Sequence, residues 1–240
     1  MQKKHGRQGG SGGEKGSRTV SRKGAGFPHR LGEATACNVL VYDRRGYGQS
    51  DPFADAERPT DYLEAEADVL DALLTNPGIG DAILFGHSDG GSIALIAAAK
   101  YPRLVRAMIV EGAPIFVEEV TLTGIRQAVL AYQKTDLKNR LAKYHGDKTD
   151  RIFRAWTETW LRVEYRTWNT ERFLPAIGCP VRVVQGENDE YGTLRQAEGI
   201  ASGVRGAASR FIVPGAGHTP HKEAAPETLS RAADFIPKHR

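Results

Sequence analysis

The chain has 240 residues, 40% of them hydrophobic and 26% charged, with a formal net charge of +4. That is enough apolar material for one buried core, but no apolar run approaches the roughly 18 residues of a membrane span, so a soluble protein with no membrane partner is expected. The positive charge is local: residues 1–30 hold eight Lys/Arg and one Glu, which leaves the rest of the chain net acidic.

Residues 1–26 are mainly Gly, Lys, Arg and Ser, with Val20 as the lone branched aliphatic. Such a composition cannot supply a buried strand and reads as a disordered basic tail before a domain of residues 27–240. The tail has no aromatic on which a base could stack, which argues against nucleic acid as a partner. It also lacks the apolar centre of a secretory signal, so a cytoplasmic location is expected. Cys37 and Cys179 lack metal-ligand spacing and read as reduced thiols.

From Cys37 onward, short apolar runs alternate with helical periodicity, the mark of an α/β fold with a parallel sheet flanked by helices. The spacing predicts strands at NVLVYD (38–43), DAILFG (81–86), VRAMIVEG (105–112), PVRVVQG (180–186) and SRFIVPG (209–215). Each run is solidly apolar rather than alternating, as for strands covered on both faces. Leu63, Ala67, Leu70 and Leu74 share one face of a helix over 60–75, which Asn76-Pro77-Gly78 ends, and a small-residue helix covers 90–100. Residues 114–175 break the rhythm with charge, aromatics and helical spacing, and read as an inserted helical cap. Within it Phe153, Trp156 and Trp160 share a face, and this stripe is expected to pack the cap onto the body.

Two stretches match Gly-x-Ser-x-Gly: GGSGG around Ser11 and GHSDGG (86–91) around Ser88. Only Ser88 follows an apolar strand and opens a helix, the setting in which a sharp turn lifts a serine hydroxyl clear of a sheet. Gly86 and Gly90 are expected to allow the close strand-helix approach, and the helix N-terminus supplies N–H groups for a developing oxyanion, beginning with that of Asp89. A serine needs a base held by an acid. After the cap, QGENDEYG offers Asp189 and VPGAGHTPH offers His218, both past strand ends. Glu187, Glu190 and Glu111 remain alternative acids. His221 reads as a surface or capping residue, His87 as pointing away from the serine, and His5, His29, His145 and His239 as solvated.

DRRGYGQS (43–50), GHSDGG, QGENDEYG and PGAGH together, in that order, resemble the α/β-hydrolase superfamily, and within it the small bacterial esterases and meta-cleavage carbon-carbon hydrolases. The resemblance runs from about Phe27 to the C-terminus. It implies Ser88 as nucleophile, His218 as general base and then acid, and Asp189 as the residue orienting the imidazole. The 43–50 loop is implied to be structural, with neither Arg44 nor Arg45 catalytic. The expected activity is hydrolysis of a small carboxylic ester or thioester through an acyl-enzyme, with no cofactor and no metal. Carbon-carbon cleavage by the same three residues is the alternative, and an impaired remnant is another. The chain departs from the pattern ahead of Asp43. The family's third strand, which lies beside the elbow strand, and the His-Gly loop after it that carries the second oxyanion N–H are not recognisable, and His5-Gly6 lacks any preceding strand.

Overall fold

The structure, a computed structural model, describes residues 26–53 and 58–239. The stretch read as a basic tail lies outside them but for Gly26, as do Ser11 and His5. Four of the five expected strands form: β1 (Ala82–His87), β2 (Val105–Glu111), β3 (Val181–Gly186) and β4 (Ala208–Val213). They make a parallel sheet in the order β1-β2-β3-β4, with His87 level with Glu111 and Gly186 level with Val213.

Alternation along the strands sorts the core into two layers. Ile83, Phe85, Ala107, Ile109 and Val184 face α1 (Phe27–Thr35) and α9 (Ala225–Phe235). Leu84, Met108, Val110 and Val183 face the other way, onto α2 (Tyr62–Thr75) and α3 (Asp89–Lys100), with α7 (Leu194–Gly203) on the same side. The predicted α2 stripe is all buried. Burial on both faces is why the strands read as continuous apolar runs.

Between β2 and β3 the chain is helical, with α4 (Glu119–Lys134), α5 (Leu137–His145), α6 (Thr149–Leu161) and short 3-10 turns through Ala176. At its root Glu118 accepts hydrogen bonds from Thr193 N, Thr193 Oγ1 and Gln196 Nε2 at 2.9, 2.7 and 2.8 Å, which fixes the cap to the start of α7. The aromatic stripe does more than join cap to body: Trp160 donates to Tyr62 Oη at 3.2 Å, while Trp156 and Trp160 also line the central cavity.

The fifth predicted strand, 38–43, is not formed. The segment makes no ladder bonds, and Val39, Leu40 and Val41 are exposed. Apolar content makes a strand possible, but only a neighbour satisfies its backbone groups. Among the described residues no strand pairs with the second edge of β1, where the superfamily resemblance places a further strand. Residues 43–50 do form a tight loop: Asp43 accepts from Gln49 N (2.9 Å) and Ser50 Oγ (2.6 Å), while Gly46 and Gly48 have positive φ.

Candidate active site

The turn from β1 into α3 places Ser88 at φ 54°, ψ −127°, one of two non-glycine residues with positive φ among those described. This conformation is strained for an L-residue and persists because its surroundings fix it. Ser88 N donates to the Glu111 carbonyl on β2 (2.8 Å), and the Ser88 carbonyl accepts from Gly91 N (2.8 Å) and Ser92 N (3.2 Å). Steric space around the elbow corrects one expectation. A Cβ on Gly86 would strike the Gly90 carbonyl and one on Gly91 would sit 2.5 Å from Ala113 Cβ, but Gly90 faces open space. The second glycine the elbow requires is thus Gly91.

The loops after β3 and β4 bring Asp189 and His218 together. His218 Nδ1 lies 2.9 Å from Asp189 Oδ1, which also accepts from Tyr191 N at 2.9 Å. Oδ2 of Asp189 accepts from Gln185 Nε2 at 2.8 Å, and the carboxylate is only 1% exposed. With all its bonds made to donors, this buried carboxylate fixes the ring's orientation and tautomer. Ser88 and His218 line the same cavity of about 440 Å³, whose apolar wall includes Ile125, Leu141, Trp156 and Trp160 from the cap.

The competing acids have other partners. Glu187 accepts from Gly215 N (2.9 Å) and Glu190 from His218 N (3.1 Å), so both brace the backbone of the histidine loop. Glu223, which sequence reading missed, accepts from Gly217 N (2.6 Å), Thr219 N (2.9 Å) and Thr219 Oγ1 (2.6 Å), and the last of these leads in holding its pKa low. Its signal was there: an acid three residues after Pro220 at the start of a helix can reach back to the preceding loop. Glu111 is fully buried and meets His221 Nδ1 at 2.7 Å.

His221 is therefore only partly exposed, because a buried carboxyl pulls its ring inward. The His87 ring, expected to point away from the serine, is engaged with the histidine loop. Its Nε2 lies 2.9 Å from the His218 carbonyl oxygen, and burial, followed by the charge of neighbouring His218, lowers its pKa to about 4. Asp89 starts α3 with its N–H among the donors that have no intrahelical acceptor, while its carboxylate accepts from Tyr62 Oη at 2.7 Å, with Arg44 at 3.5 Å. Arg44 thus braces the elbow from the 43–50 loop. His145 is not simply solvated, since its Nδ1 accepts from Gly48 N at 3.1 Å and ties the cap to that loop. His29 stays exposed, 3.2 Å from Glu33, and the His239 ring lies tilted against Phe235 with centroids 4.5 Å apart.

Comparison with known proteins agrees with this architecture. Residues 15–232 match the alpha/beta hydrolase family. The chain is 31% identical over 203 residues to a Homo sapiens protein named serine hydrolase BPHL, an alignment covering 82% of this chain and 69% of that one. Among solved structures, NosK from Streptomyces actuosus superposes with a TM-score of 0.70 at 26% identity, covering 89% of this chain and 92% of the other. A thermophilic esterase from Thermogutta terrifontis superposes at 0.67 with 20% identity, covering 89% and 86%, and speaks for the fold alone. No helix among the described residues is long and apolar enough to cross a membrane.

Proposed function

Because the chain belongs to the alpha/beta hydrolase family, we propose that it is a serine hydrolase cleaving carboxylic esters or thioesters of small acyl substrates. One observation carries this reading: a serine held in a left-handed backbone conformation shares a cavity with an imidazole whose Nδ1 is 2.9 Å from a buried carboxylate. The relative named serine hydrolase adds support.

In the proposed mechanism His218 Nε2 takes the proton of Ser88 as the hydroxyl attacks the acyl carbonyl. Asp189 holds Nδ1–H and stabilises the imidazolium. The oxyanion is held at the N-terminus of α3, with Asp89 N–H as first donor and the partial positive charge of the helix behind it. Imidazolium then protonates the departing alkoxide or thiolate. A water activated by the same ring cleaves the acyl-enzyme, returning the proton to Ser88 and releasing the acid. The apolar wall of Ile125, Leu141, Trp156 and Trp160 favours an uncharged acyl chain.

Among the described residues no strand precedes the 43–50 loop to carry a second oxyanion donor. Loss of one such donor costs roughly 100- to 1,000-fold in turnover, so the enzyme is expected to be slow. Hydrolysis of a short-chain p-nitrophenyl ester by the purified full chain, beside Ser88→Ala and with fluorophosphonate labelling, tests the proposal. Turnover and labelling that both vanish in Ser88→Ala are expected. A cooperatively folded protein that neither reacts with the probe nor turns over would overturn it, and cleavage of a vinylogous diketone in place of esters would move the reading to carbon-carbon hydrolysis.

A further inference from the structure

His87, Glu111 and His221 form a second cluster beside the candidate active site, with the His87 ring centroid 4.8 Å from that of His218. His87 ends β1, Glu111 ends β2 at the same level of the sheet, and His221 sits in the short turn of helix α8 (Pro220–Glu223). One nitrogen or oxygen from each residue lies within 4.8 Å of the others. The His87 ring centroid is 5.1 Å from that of His221, whose outer side is covered by Phe27 at 5.6 Å.

We infer that these three residues form a binding site for a divalent first-row cation, with Zn²⁺ as the ion it would take. Two imidazoles and one carboxylate are a donor set suited to zinc and its neighbours, whereas magnesium and calcium call for oxygen ligands throughout.

Two observations beyond the grouping point to a ligand. The first is Glu111 Oε2, which is buried and lacks any hydrogen-bond partner on a side chain that is 0% exposed. A carboxylate oxygen in that position is costly unless something positive meets it. The second is the state of His87. With Nε2–H donated to the His218 carbonyl at 2.9 Å, the ring keeps Nδ1 as its lone-pair nitrogen. Metal-binding histidines commonly fix their tautomer in this way, by giving the other N–H to a backbone carbonyl.

The geometry is close to closure. Zinc bound at about 2.0–2.2 Å by nitrogen and oxygen holds its ligand atoms roughly 3.3 Å apart, against a spread of at most 4.8 Å between one donor atom of each residue here, and the 2.7 Å His221 Nδ1–Glu111 Oε1 hydrogen bond gives way on loading. His221 keeps 16% of its side chain exposed, which leaves the cluster a route to solvent. Through the His87 bond to the His218 carbonyl, a bound ion would stiffen the loop that carries His218. The sequence does not disclose the set because its members are 24, 110 and 134 positions apart.

The test uses the chelator-stripped full chain titrated with Zn²⁺ by calorimetry and with Co²⁺ by visible absorption, alongside His87→Gln and His221→Ala. One ion per chain is expected, with cobalt d–d bands of a low-coordinate site and a higher Tm when loaded. Each variant should lose more affinity than the roughly 10- to 100-fold typical of losing an outer-shell partner. If His221→Ala does not melt cooperatively, His87→Gln decides. No saturable one-to-one binding by the folded chain would overturn the inference, as would binding that survives in both variants, which would place the ion on other histidines. These readouts do not depend on turnover and stand whether or not the chain hydrolyses esters.

Discussion

Asp189→Asn separates the candidate acid from its neighbours and can be worked through atom by atom. The carboxylate has one oxygen on His218 Nδ1 and Tyr191 N and the other on Gln185 Nε2, so every partner is a donor. An amide offers one oxygen and one NH₂. If its oxygen keeps the first pair of partners, the NH₂ faces Gln185, which must flip to present Oε1 and thereby lose its 3.0 Å bond from Nε2 to the Gly192 carbonyl. If the NH₂ faces His218 instead, the ring is forced into the tautomer with Nε2–H, which cannot take the proton of Ser88.

Either way the negative charge that stabilises the imidazolium is gone. In enzymes built on such a triad the acid-to-amide change costs about 10,000-fold in kcat, equivalent to about 5.5 kcal/mol. Replacing charge-assisted bonds in a site this buried also destabilises the fold, by about 1.5–3 kcal/mol. The assay is kcat on a p-nitrophenyl ester with a thermal melt of the same sample. Glu190→Gln is the control, because its amide oxygen can still accept from His218 N, and its kcat should stay within about tenfold of the unaltered chain. The reasoning fails if Asp189→Asn melts cooperatively and keeps kcat within tenfold, or if Glu190→Gln costs as much.

The glycines around the elbow give a paired test of steric space. Gly90→Ala, with nothing near the new methyl, should raise stability by about 0.4–1 kcal/mol in a denaturant melt, whereas Gly91→Ala should lower it by pressing on Ala113. His145 provides a pH test. Burial, ahead of the opposing pull of Asp43, lowers its pKa from 6.5. The neutral ring that accepts from Gly48 N is thus favoured in the fold, and its contribution is complete above the unfolded pKa and lost as pH falls through the folded one. Tm should fall on going from about pH 7.5 to pH 5, and less steeply in His145→Phe; equal slopes would show that this contact carries no pH dependence.

Much of the candidate site was legible because its members follow strands whose apolar runs are unmistakable. DAILFG, PVRVVQG and SRFIVPG mark three strand ends, and Ser88, Asp189 and His218 all stand just beyond them. What failed were mainly features resting on a partner far away in the chain. The run 38–43 has the composition of a strand, but a strand exists only with a neighbour, and the segment expected to lie between it and β1 could not be read in this sequence. Gly90 and Gly91 are equivalent by letter and differ only in that Ala113 approaches one of them. His221 looked like a surface residue because its partner Glu111 lies 110 positions earlier. The acid at the end of the run VRAMIVE was the available signal, since a carboxyl that finishes a strand buried from Ala107 onward needs something to meet it.

The same missing neighbour bears on how firmly Ser88 is held. Among the described residues β2 and β3 are paired on both edges, and β1, which carries the elbow, is paired on one. Ala82 N and Ser88 N both donate across to β2, at 2.8 Å each. Alternation along a parallel strand then directs the N–H groups of Leu84 and Gly86 to β2 and those of Ile83, Phe85 and His87 toward the open edge. Side-chain packing covers both faces, with Phe27 5.2 Å from Phe85 on one side, so among the described residues the edge is the side from which solvent would reach these amides. In native-state hydrogen exchange, Leu84 and Gly86 should be protected to near the global unfolding free energy, while Ile83, Phe85 and His87 exchange by small local openings. A two-residue period of protection along one strand is the signature of a single-sided ladder. Uniform protection would refute it and mean that a further strand, from this chain or another molecule, occupies the edge. The elbow would then be clamped from both sides, and the slow turnover proposed for this site would no longer be expected.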